Sequence, residues 1–157
     1  MSEVHGMAQR GGSVVTQVRF GPQVYAPLIT PGEVDCLVAF EELEAWRWLP
    51  WLREGGRLLV NRLQIHPLPV AIGQAQYPEE LESQLSRLPG YLGIDANGLA
   101  RQTGTTRTAN MVLLGALIAG LEQGLEYWQD VVAQVVPARY REANRRALQL
   151  GYELVEN

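Results

Sequence analysis

The chain has 157 residues, of which 46% are hydrophobic and 19% charged, and its formal net charge at pH 7 is −4. This length suits one domain with its own core, and the composition is that of a globular protein rather than a disordered or fibrous one. A net negative chain lacks the basic face with which proteins bind nucleic acid or anionic membranes, so we expect neither partner.

The sequence contains a single type of basic residue, other than histidine, and few cysteine or histidine residues that bind metals. All 13 basic residues are arginine, which excludes a Schiff-base lysine, a lysine general base and a Walker-type phosphate loop. Arginine favours bidentate binding of carboxylates and phosphates. With one cysteine, Cys36, and two histidines, His5 and His66, the chain forms no internal disulfide, holds no cysteine-ligated iron–sulfur cluster, and is not expected to bind structural zinc.

Membrane and export signals are not recognised in the sequence. The longest strongly apolar run, residues 111–121, is shorter than the ~20 residues that span a bilayer. The first residues include Glu3 and His5 and lack the apolar core of a signal peptide. We therefore expect a cytoplasmic protein.

The N-terminal third predicts a loop followed by an antiparallel hairpin. Residues 1–12 contain three glycines and no periodicity, which predicts a loop. Ser13–Phe20 alternates β-branched and polar residues, which predicts a strand. Val24–Ile29 is the predicted return strand, with Pro27 at an edge or bulge.

A strand, a helix and a second strand come next. Residues 35–40 (DCLVAF) form a continuous apolar run typical of a strand buried on both faces of a parallel sheet. Residues 41–53 show helical spacing, with Pro50 expected to kink or divide the helix and Gly55-Gly56 expected to end it. Residues 57–61 (RLLVN) then complete a βαβ unit.

The pattern in the middle of the chain predicts a second βαβ step. Residues 63–78 contain three prolines and one glycine and indicate a long irregular connection. A helix is predicted over residues 79–88 and a strand over residues 91–95.

Three helices are predicted for the last third, over residues 109 to about 121, 125–135 and 138–150. Thr108 is the expected cap of the first helix, and Gly151 the residue that ends the last. Gly115 and Gly120 allow close packing at ~1 kcal/mol each of lost helix propensity. The fold class is α/β: a mostly parallel sheet with an antiparallel hairpin and C-terminal helices, in a single domain over residues 1–157.

The N-terminal segment is the first candidate site. Arg10, followed by Gly11-Gly12-Ser13, offers a guanidinium, glycine amides and a hydroxyl with which to hold an anion. A loop with a tight turn into the strand is the alternative. His5 is either a general acid or base or a hydrogen-bonding residue that fixes the loop, since no Ser–His–Asp or Cys–His arrangement is recognisable.

Polar residues that follow predicted strands are the second group of candidates. Glu41 and Asn61 come at the ends of two apolar strands, where ligand contacts gather in parallel sheets. Capping the following helix or turn is the equal alternative. Asp95 and Asn110 have the same two interpretations, whereas Cys36 is expected to be a small core residue.

Three tryptophans, Trp46, Trp48 and Trp51, crowd one short segment. Positions 46 and 48 of a helix point apart, so the three rings do not share one face. One or two of them lie either at a subunit interface or in the core with one ring partly exposed.

The sequence also resembles a known family. The segments that carry the resemblance are, in chain order, SEVHGMAQRGGSVVTQVRFG, VYAPLI, a strand ending in AFE, EAWRWLPWL, GG, LLVN, TANMVLLGAL and VPARYREANRRALQLGY. In this order they resemble the gamma-type domain of 2-oxoacid:ferredoxin oxidoreductases, within which the indolepyruvate enzymes are the nearest branch. The resemblance covers nearly the whole chain, and its first block is the specific one.

The resemblance implies a fold and an activity. The domain would be Rossmann-like and would pack against a large partner subunit that holds thiamine diphosphate, Mg and iron–sulfur clusters. The complex would decarboxylate 2-oxoacids, here aryl pyruvates, to acyl-coenzyme A and pass electrons to ferredoxin through the partner. This chain would hold no cofactor, contribute no catalytic residue and be inactive alone.

The same resemblance assigns the candidate site loop. Arg10 and its glycine neighbours would bind a coenzyme A phosphate or a partner carboxylate, while His5 and Gln9 would shape the loop. The matched positions are His5, Gly6, Gln9, Arg10, Gly11, Gly12 and Ser13.

One departure from the family pattern stands at the start of the sequence. Members begin with a strand, a GxGGxG turn and a helix before this block, so roughly 30 residues are missing here, about one βα unit. A start assigned too late, a fragment and a true short variant all remain open. A partner chain or exchange between identical chains in a homodimer would supply the strand. The rival hypothesis is a stand-alone Rossmann-like module that binds a nucleotide or coenzyme A, or another protein.

Overall fold

The computed structural model describes residues 1–5 and 14–156, without the side chains of residues 3–5. In these residues the strands are β1 (Ser2–His5), β2 (Val14–Gln17), β3 (Val34–Ala39), β4 (Leu52–Asn61) and β5 (Tyr91–Ile94). The α-helices are α1 (Glu42–Trp48), α2 (Leu68–Ala71), α3 (Leu81–Leu85), α4 (Ala96–Arg101), α5 (Ala109–Ile118), α6 (Leu125–Val135) and α7 (Arg141–Glu156). None of the helices in this part of the chain is long and apolar enough to cross a membrane.

The central sheet is parallel and has the order β3-β4-β5, with β4 in the middle. The apolar runs of β3 and β4 are flanked by helices on both faces, as the continuous pattern predicted. One face packs against α4, α5 and α7. The other packs against α1 and α3. The α/β fold with a mostly parallel sheet and C-terminal helices is confirmed.

Helices α5 and α7 cross at close range because both carry glycine at the contact. A Cβ at Gly115 would overlap the carbonyl oxygen of Leu148, and a Cβ at Gly151 would overlap that of Val112. The close packing predicted for Gly115 is therefore confirmed. The prediction that Gly151 ends the last helix is wrong, since α7 continues to Glu156 and uses Gly151 for packing.

The predicted hairpin has a different partner strand. β2 pairs antiparallel with β1, in the register Ser2↔Gln17 to His5↔Val14, so the predicted loop over residues 1–12 is wrong at Ser2–His5. Residues 24–29 form no strand. Pro27 lacks the N–H that a strand ladder needs, and Ile29 N–H instead donates to the side chain of Gln17 at 2.8 Å.

The predicted helix over residues 41–53 is also shorter than expected. α1 ends at Trp48, Pro50 lies in a 3₁₀ turn (Leu49–Trp51), and β4 begins at Leu52. Gly55-Gly56 therefore lies within β4 rather than ending the helix. Val34 pairs with Leu52 while Cys36 pairs with Arg57, so β4 bulges between these pairs, and Gly55 has a φ of +70° there.

Several other boundaries differ. The connection over residues 63–78 contains the short helix α2, and α3 covers only the centre of the predicted helix over residues 79–88. Helix α4 was not predicted, and α7 starts at Arg141 after a 3₁₀ turn (Ala138–Tyr140). Strand β5 and helix α6 agree with the sequence. Thr108 lies at the N-cap position of α5, but its side chain does not cap the helix and its hydroxyl instead donates to Thr105 O at 3.2 Å.

Candidate functional site

Glu41 follows β3 at the carboxyl end of the parallel sheet and is buried. Its carboxylate accepts hydrogen bonds from Glu44 N–H at 2.9 Å, Ile65 N–H at 3.1 Å and the Tyr77 hydroxyl at 2.6 Å. The first of these caps α1, and the other two hold both ends of the 63–78 connection over the sheet. The capping interpretation of Glu41 therefore describes its contacts within this chain.

Asn61 ends the central strand β4 and is also buried. Its Nδ2 donates to Phe40 O at 3.2 Å and to Asn97 Oδ1 at 3.1 Å, while its Oδ1 accepts from Ala96 N–H at 3.1 Å. One side chain thus joins the ends of β3, β4 and β5. Such a network fixes the geometry of this edge of the sheet.

Glu42 and Gln64 add a second link between α1 and the 63–78 connection. Gln64 Nε2 donates to Glu42 Oε2 at 2.9 Å, and Glu42 N–H donates to Leu63 O at 3.1 Å. Burial and then the hydrogen bond to Glu41 raise the pKa of Tyr77 above its ordinary value. The neutral phenol is thus the form that this arrangement favours.

The other polar candidates lie apart from this network. Asp95 Oδ1 accepts from Gly98 N–H at 2.7 Å and caps α4. Asn110 is exposed in the first turn of α5, and no side-chain hydrogen bond joins it to another described residue. Ligand binding by Glu41, Asn61 and Asn110 stays a prediction.

The candidate anion-binding loop lies outside the described residues. Backbone pairing places His5 opposite Val14 at the end of β1, and its side chain is not described. Arg10 and the other matched positions, Gly6, Gln9, Gly11, Gly12 and Ser13, fall within residues 6–13. Their role stays a prediction.

Cys36 and the tryptophans complete the sequence candidates. Cys36 is half-buried in β3, and burial is the main cause that raises the pKa of its thiol, against the lowering effect of Arg57. The rings of Trp48 and Trp51 are in contact with their centroids 4.6 Å apart and their planes tilted by 54°, whereas Trp46 is 42% exposed. The side chains divide as the helical spacing indicated, and the interface role of Trp46 stays a prediction.

No group of three or more metal-ligating side chains occurs in the part of the chain that the structure describes. A cysteine-ligated cluster needs several thiolates, and the sequence has one cysteine. The residues of this chain therefore do not fit an iron–sulfur cluster.

Two exposed segments without charge were not singled out by the sequence patterns. Residues 20–32 and residues 63–78 contain no Asp, Glu, Lys or Arg. Their exposed apolar side chains include Tyr25 at 87% and Leu68 at 72% exposure, together with Phe20, Leu28, Ile65 and Ile72. Exposed apolar patches of this kind mark interaction surfaces, and a long run without charge was the sequence signal for them.

Comparison with known proteins gives consistent matches. The family model described as pyruvate ferredoxin/flavodoxin oxidoreductase matches residues 1–154. The chain is 37% identical to indolepyruvate oxidoreductase subunit IorB of Thermococcus kodakarensis and 38% identical to that of Pyrococcus horikoshii. Each alignment covers 96% of this chain and 78% of the relative.

Solved structures show the same fold. The gamma subunit of a keto/oxoacid ferredoxin oxidoreductase from Geobacter sulfurreducens superposes with a TM-score of 0.63 at 24% identity, covering 99% of this chain and 78% of that one. Pyruvate oxidoreductase subunit PORC from Thermotoga maritima gives 0.54 at 25% identity, covering 76% and 62%.

Proposed function

Since this chain belongs to the pyruvate ferredoxin/flavodoxin oxidoreductase family and is a subunit of a 2-oxoacid ferredoxin oxidoreductase, we propose that its complex acts on indolepyruvate and related aryl pyruvates. The observation that carries this proposal is the identity to subunits named for indolepyruvate, which extends over nearly the whole chain. The reaction would be oxidative decarboxylation to the acyl-coenzyme A, with electrons passed to ferredoxin.

The division of labour follows from what this chain offers. Thiamine diphosphate, Mg and iron–sulfur clusters would lie in a larger partner subunit and supply the decarboxylation and electron transfer. This chain would hold none of them, and ferredoxin would be reached through the partner. The single cysteine supports this for the clusters.

The role of this chain would be to close and shape the site from its side. Arg10 with Gly11, Gly12 and Ser13 would bind an anionic group, either a phosphate of coenzyme A or a carboxylate of the partner. His5 and Gln9 would hold the loop by hydrogen bonds. No proton-transfer or covalent step is assigned to this chain.

The exposed uncharged segments support a role in assembly. Residues 63–78 are held by Glu41 and Glu42 from beneath and present Ile65, Leu68 and Ile72 outward. Burying such side chains against a partner removes apolar surface from water, which stabilises the complex by about 25 cal/mol for each Å² buried. We define Leu68, which begins α2, and Ile72, which directly follows it, as the centre of the proposed docking surface.

The test is co-expression of this chain with the large subunit of its complex in the cytoplasm of a host grown under anaerobic conditions. We expect a stoichiometric complex by native mass spectrometry, and viologen reduction that depends on indolepyruvate, coenzyme A and this chain. A soluble chain that forms no complex would contradict assembly and favour a stand-alone binding module, with or without homodimerisation. A complex that reduces viologen with pyruvate but not with indolepyruvate would overturn the substrate assignment alone.

A further inference from the structure

A cleft of about 450 Å³ runs along the outer edge of β5, on the side away from β4. Its lining includes Leu92 and Gly93 of the strand, Leu99 and Gln102 of α4, Leu154 of α7 and Arg62 beyond β4. The cleft is an open groove on the surface rather than an enclosed pocket, and its volume lies within the range of about 300–1,000 Å³ that is usual for small-molecule sites. None of these residues belongs to the candidate loop or to the proposed docking surface.

The hydrogen-bond pattern of β5 determines which backbone groups face the cleft. Leu58 N–H donates to Gly90 O and Arg62 N–H donates to Ile94 O, in register with the pair Val60↔Gly93. In a parallel ladder alternate residues of a strand bond to the same neighbour. Residues 90, 92 and 94 therefore face β4, and the N–H and C=O of Gly93 point away from it, towards the cleft.

These two groups of Gly93 have no partner among the described residues. A strand glycine often marks a place where another molecule approaches the backbone closely. Here a side chain is disfavoured as well, because a Cβ would overlap the Tyr91 hydroxyl and lie 2.8 Å from Arg62 Nε. The strand edge thus offers one donor and one acceptor side by side.

The rest of the cleft combines apolar walls with polar ends. Leu92 and Leu99 pack against the core and form part of the wall. Leu154 is 42% exposed although it is a large apolar side chain. Asp95 and Gln102 are exposed at the lining, and Arg62 is paired with Glu82 at 3.0 Å at the surface.

We propose that this cleft binds the adenine nucleoside part of a ligand. Adenine presents an acceptor, N7, beside a donor, the N6 amino group, and this pattern is complementary to the N–H and C=O of Gly93. The planar base lies between Leu92 and Leu154. The Asp95 carboxylate accepts from a ribose hydroxyl, as acidic residues after strands do in dinucleotide-binding folds, and Arg62 faces an attached phosphate.

The proposal is independent of the proposed function, because it uses other residues and needs no partner subunit. Adenine occurs in free nucleotides and in coenzyme A alike. Titration of the ¹⁵N-labelled 157-residue chain with adenosine, AMP, coenzyme A, pantetheine or N6,N6-dimethyladenosine distinguishes these sources. We expect saturable shifts of the Gly93 amide with adenosine, AMP and coenzyme A, and none with pantetheine or with N6,N6-dimethyladenosine, which lacks the N6–H donor.

Two variants and a control locate the binding. Asp95→Asn retains an N-cap residue for α4, and Leu154→Glu places a charge on the proposed apolar wall without disturbing the core. Each is expected to weaken adenosine binding tenfold or more, whereas Val135→Glu, which alters an exposed apolar residue of α6, leaves it unchanged. Absence of adenosine binding to the wild-type chain, equal binding of N6,N6-dimethyladenosine, or equal binding by Leu154→Glu would each overturn the proposal.

Discussion

The Tyr77 hydroxyl donates to the buried Glu41 carboxylate over 2.6 Å, and this hydrogen bond ties the end of the 63–78 connection to the end of β3. Among the described residues, Tyr77→Phe leaves Glu41 with the backbone donors of Glu44 and Ile65 and no side-chain donor. Hydrogen bonds to charged groups contribute about 1.5–3 kcal/mol. Because Tyr77 is partly exposed, we expect a loss of about 1–2 kcal/mol in the free energy of unfolding at pH 7.

The pH dependence of that loss checks its cause. Burial and Glu41 raise the pKa of Tyr77 above the ordinary ~10. The stabilisation is therefore fully present below about pH 10 and is lost as the pH rises further, because the unfolded chain releases the proton first. Urea unfolding of both proteins at pH 7 and pH 11 should show the difference in stability narrowing at pH 11. A difference that stays constant would contradict the role assigned to the hydroxyl.

Asn61 is expected to contribute more to stability than any other polar candidate of the sequence. Asn61→Ala leaves Ala96 N–H and Phe40 O without their partner in a buried region. Each unsatisfied buried group costs about 1–3 kcal/mol, so we expect a loss of about 2–4 kcal/mol. Chemical denaturation measures this loss.

Asn110→Ala is the matched control for Asn61→Ala, since Asn110 is exposed. The change in the free energy of unfolding should stay within about 0.5 kcal/mol. Equal losses in the two variants would contradict the network around Asn61.

Elements with a strong sequence pattern of their own were predicted more accurately than elements that depend on residues distant in the chain. Strands β3 and β5 were predicted within one residue at each end. A short apolar run between turn residues is compatible with few structures other than a buried strand. The pairing of β1 with β2 was missed, because a four-residue strand has too little pattern of its own and its partner is chosen by tertiary structure.

Gly151 and the polar candidates also depend on distant residues, which the sequence pattern does not reveal. Gly151 follows a helical pattern and is equally typical of a helix end and of a close helix crossing, and only the position of Val112 decides between them. For Glu41 and Asn61 the sequence located the edge of the sheet correctly. It did not reveal Ile65, Tyr77, Ala96 and Asn97 as their partners, because these lie 24 to 36 residues away.

The crossing of α5 and α7 makes Gly151 sensitive to the smallest side chain. In an open helix, Gly→Ala gains about 1 kcal/mol from helix propensity. In Gly151→Ala the new Cβ meets the backbone of Val112, which does not move without shifting α5. We expect a net loss of about 1–3 kcal/mol, measured by thermal or chemical unfolding.

Gly124→Ala is the control for Gly151→Ala, because a Cβ at Gly124 has no neighbour within 4 Å and its φ is −67°. Gly124 is the N-cap residue of α6, where alanine is less favourable than glycine, so the effect of this change should be a loss of at most about 1 kcal/mol, without the overlap that Gly151→Ala creates. A Gly151→Ala protein as stable as the wild type would show that the helices separate without cost.

The proposed docking surface is tested by placing a negative charge at Leu68 or at Ile72. Leu68→Glu and Ile72→Glu replace exposed apolar side chains, so the stability of the isolated chain should stay within about 0.5 kcal/mol of the wild type. Burying an unpaired carboxylate at an interface is costly, and we expect the complex with the large subunit to weaken at least tenfold. Native mass spectrometry or interferometry with the immobilised large subunit measures this.

Val135→Glu is the matched control, because Val135 is as exposed as Leu68, at 72%, but lies on α6. This variant should assemble as the wild type does. Normal assembly of both the Leu68 and the Ile72 variant would place the partner against another face of the chain, and residues 20–32 would be the next segment to test.

The candidate loop is tested by Arg10→Ala in the assembled complex. Arginine binds phosphate or carboxylate through paired hydrogen bonds, and loss of one such contact costs about 1.5–3 kcal/mol, or roughly 10- to 150-fold in kcat/KM. A rise in KM for coenzyme A with an unchanged KM for the 2-oxoacid would identify the anion as a coenzyme A phosphate. A fall in complex stability instead would identify a carboxylate of the partner. Arg87→Ala, at an exposed arginine elsewhere, is the control. Unchanged kinetics for both substrates, together with unchanged assembly, would remove Arg10 from the site.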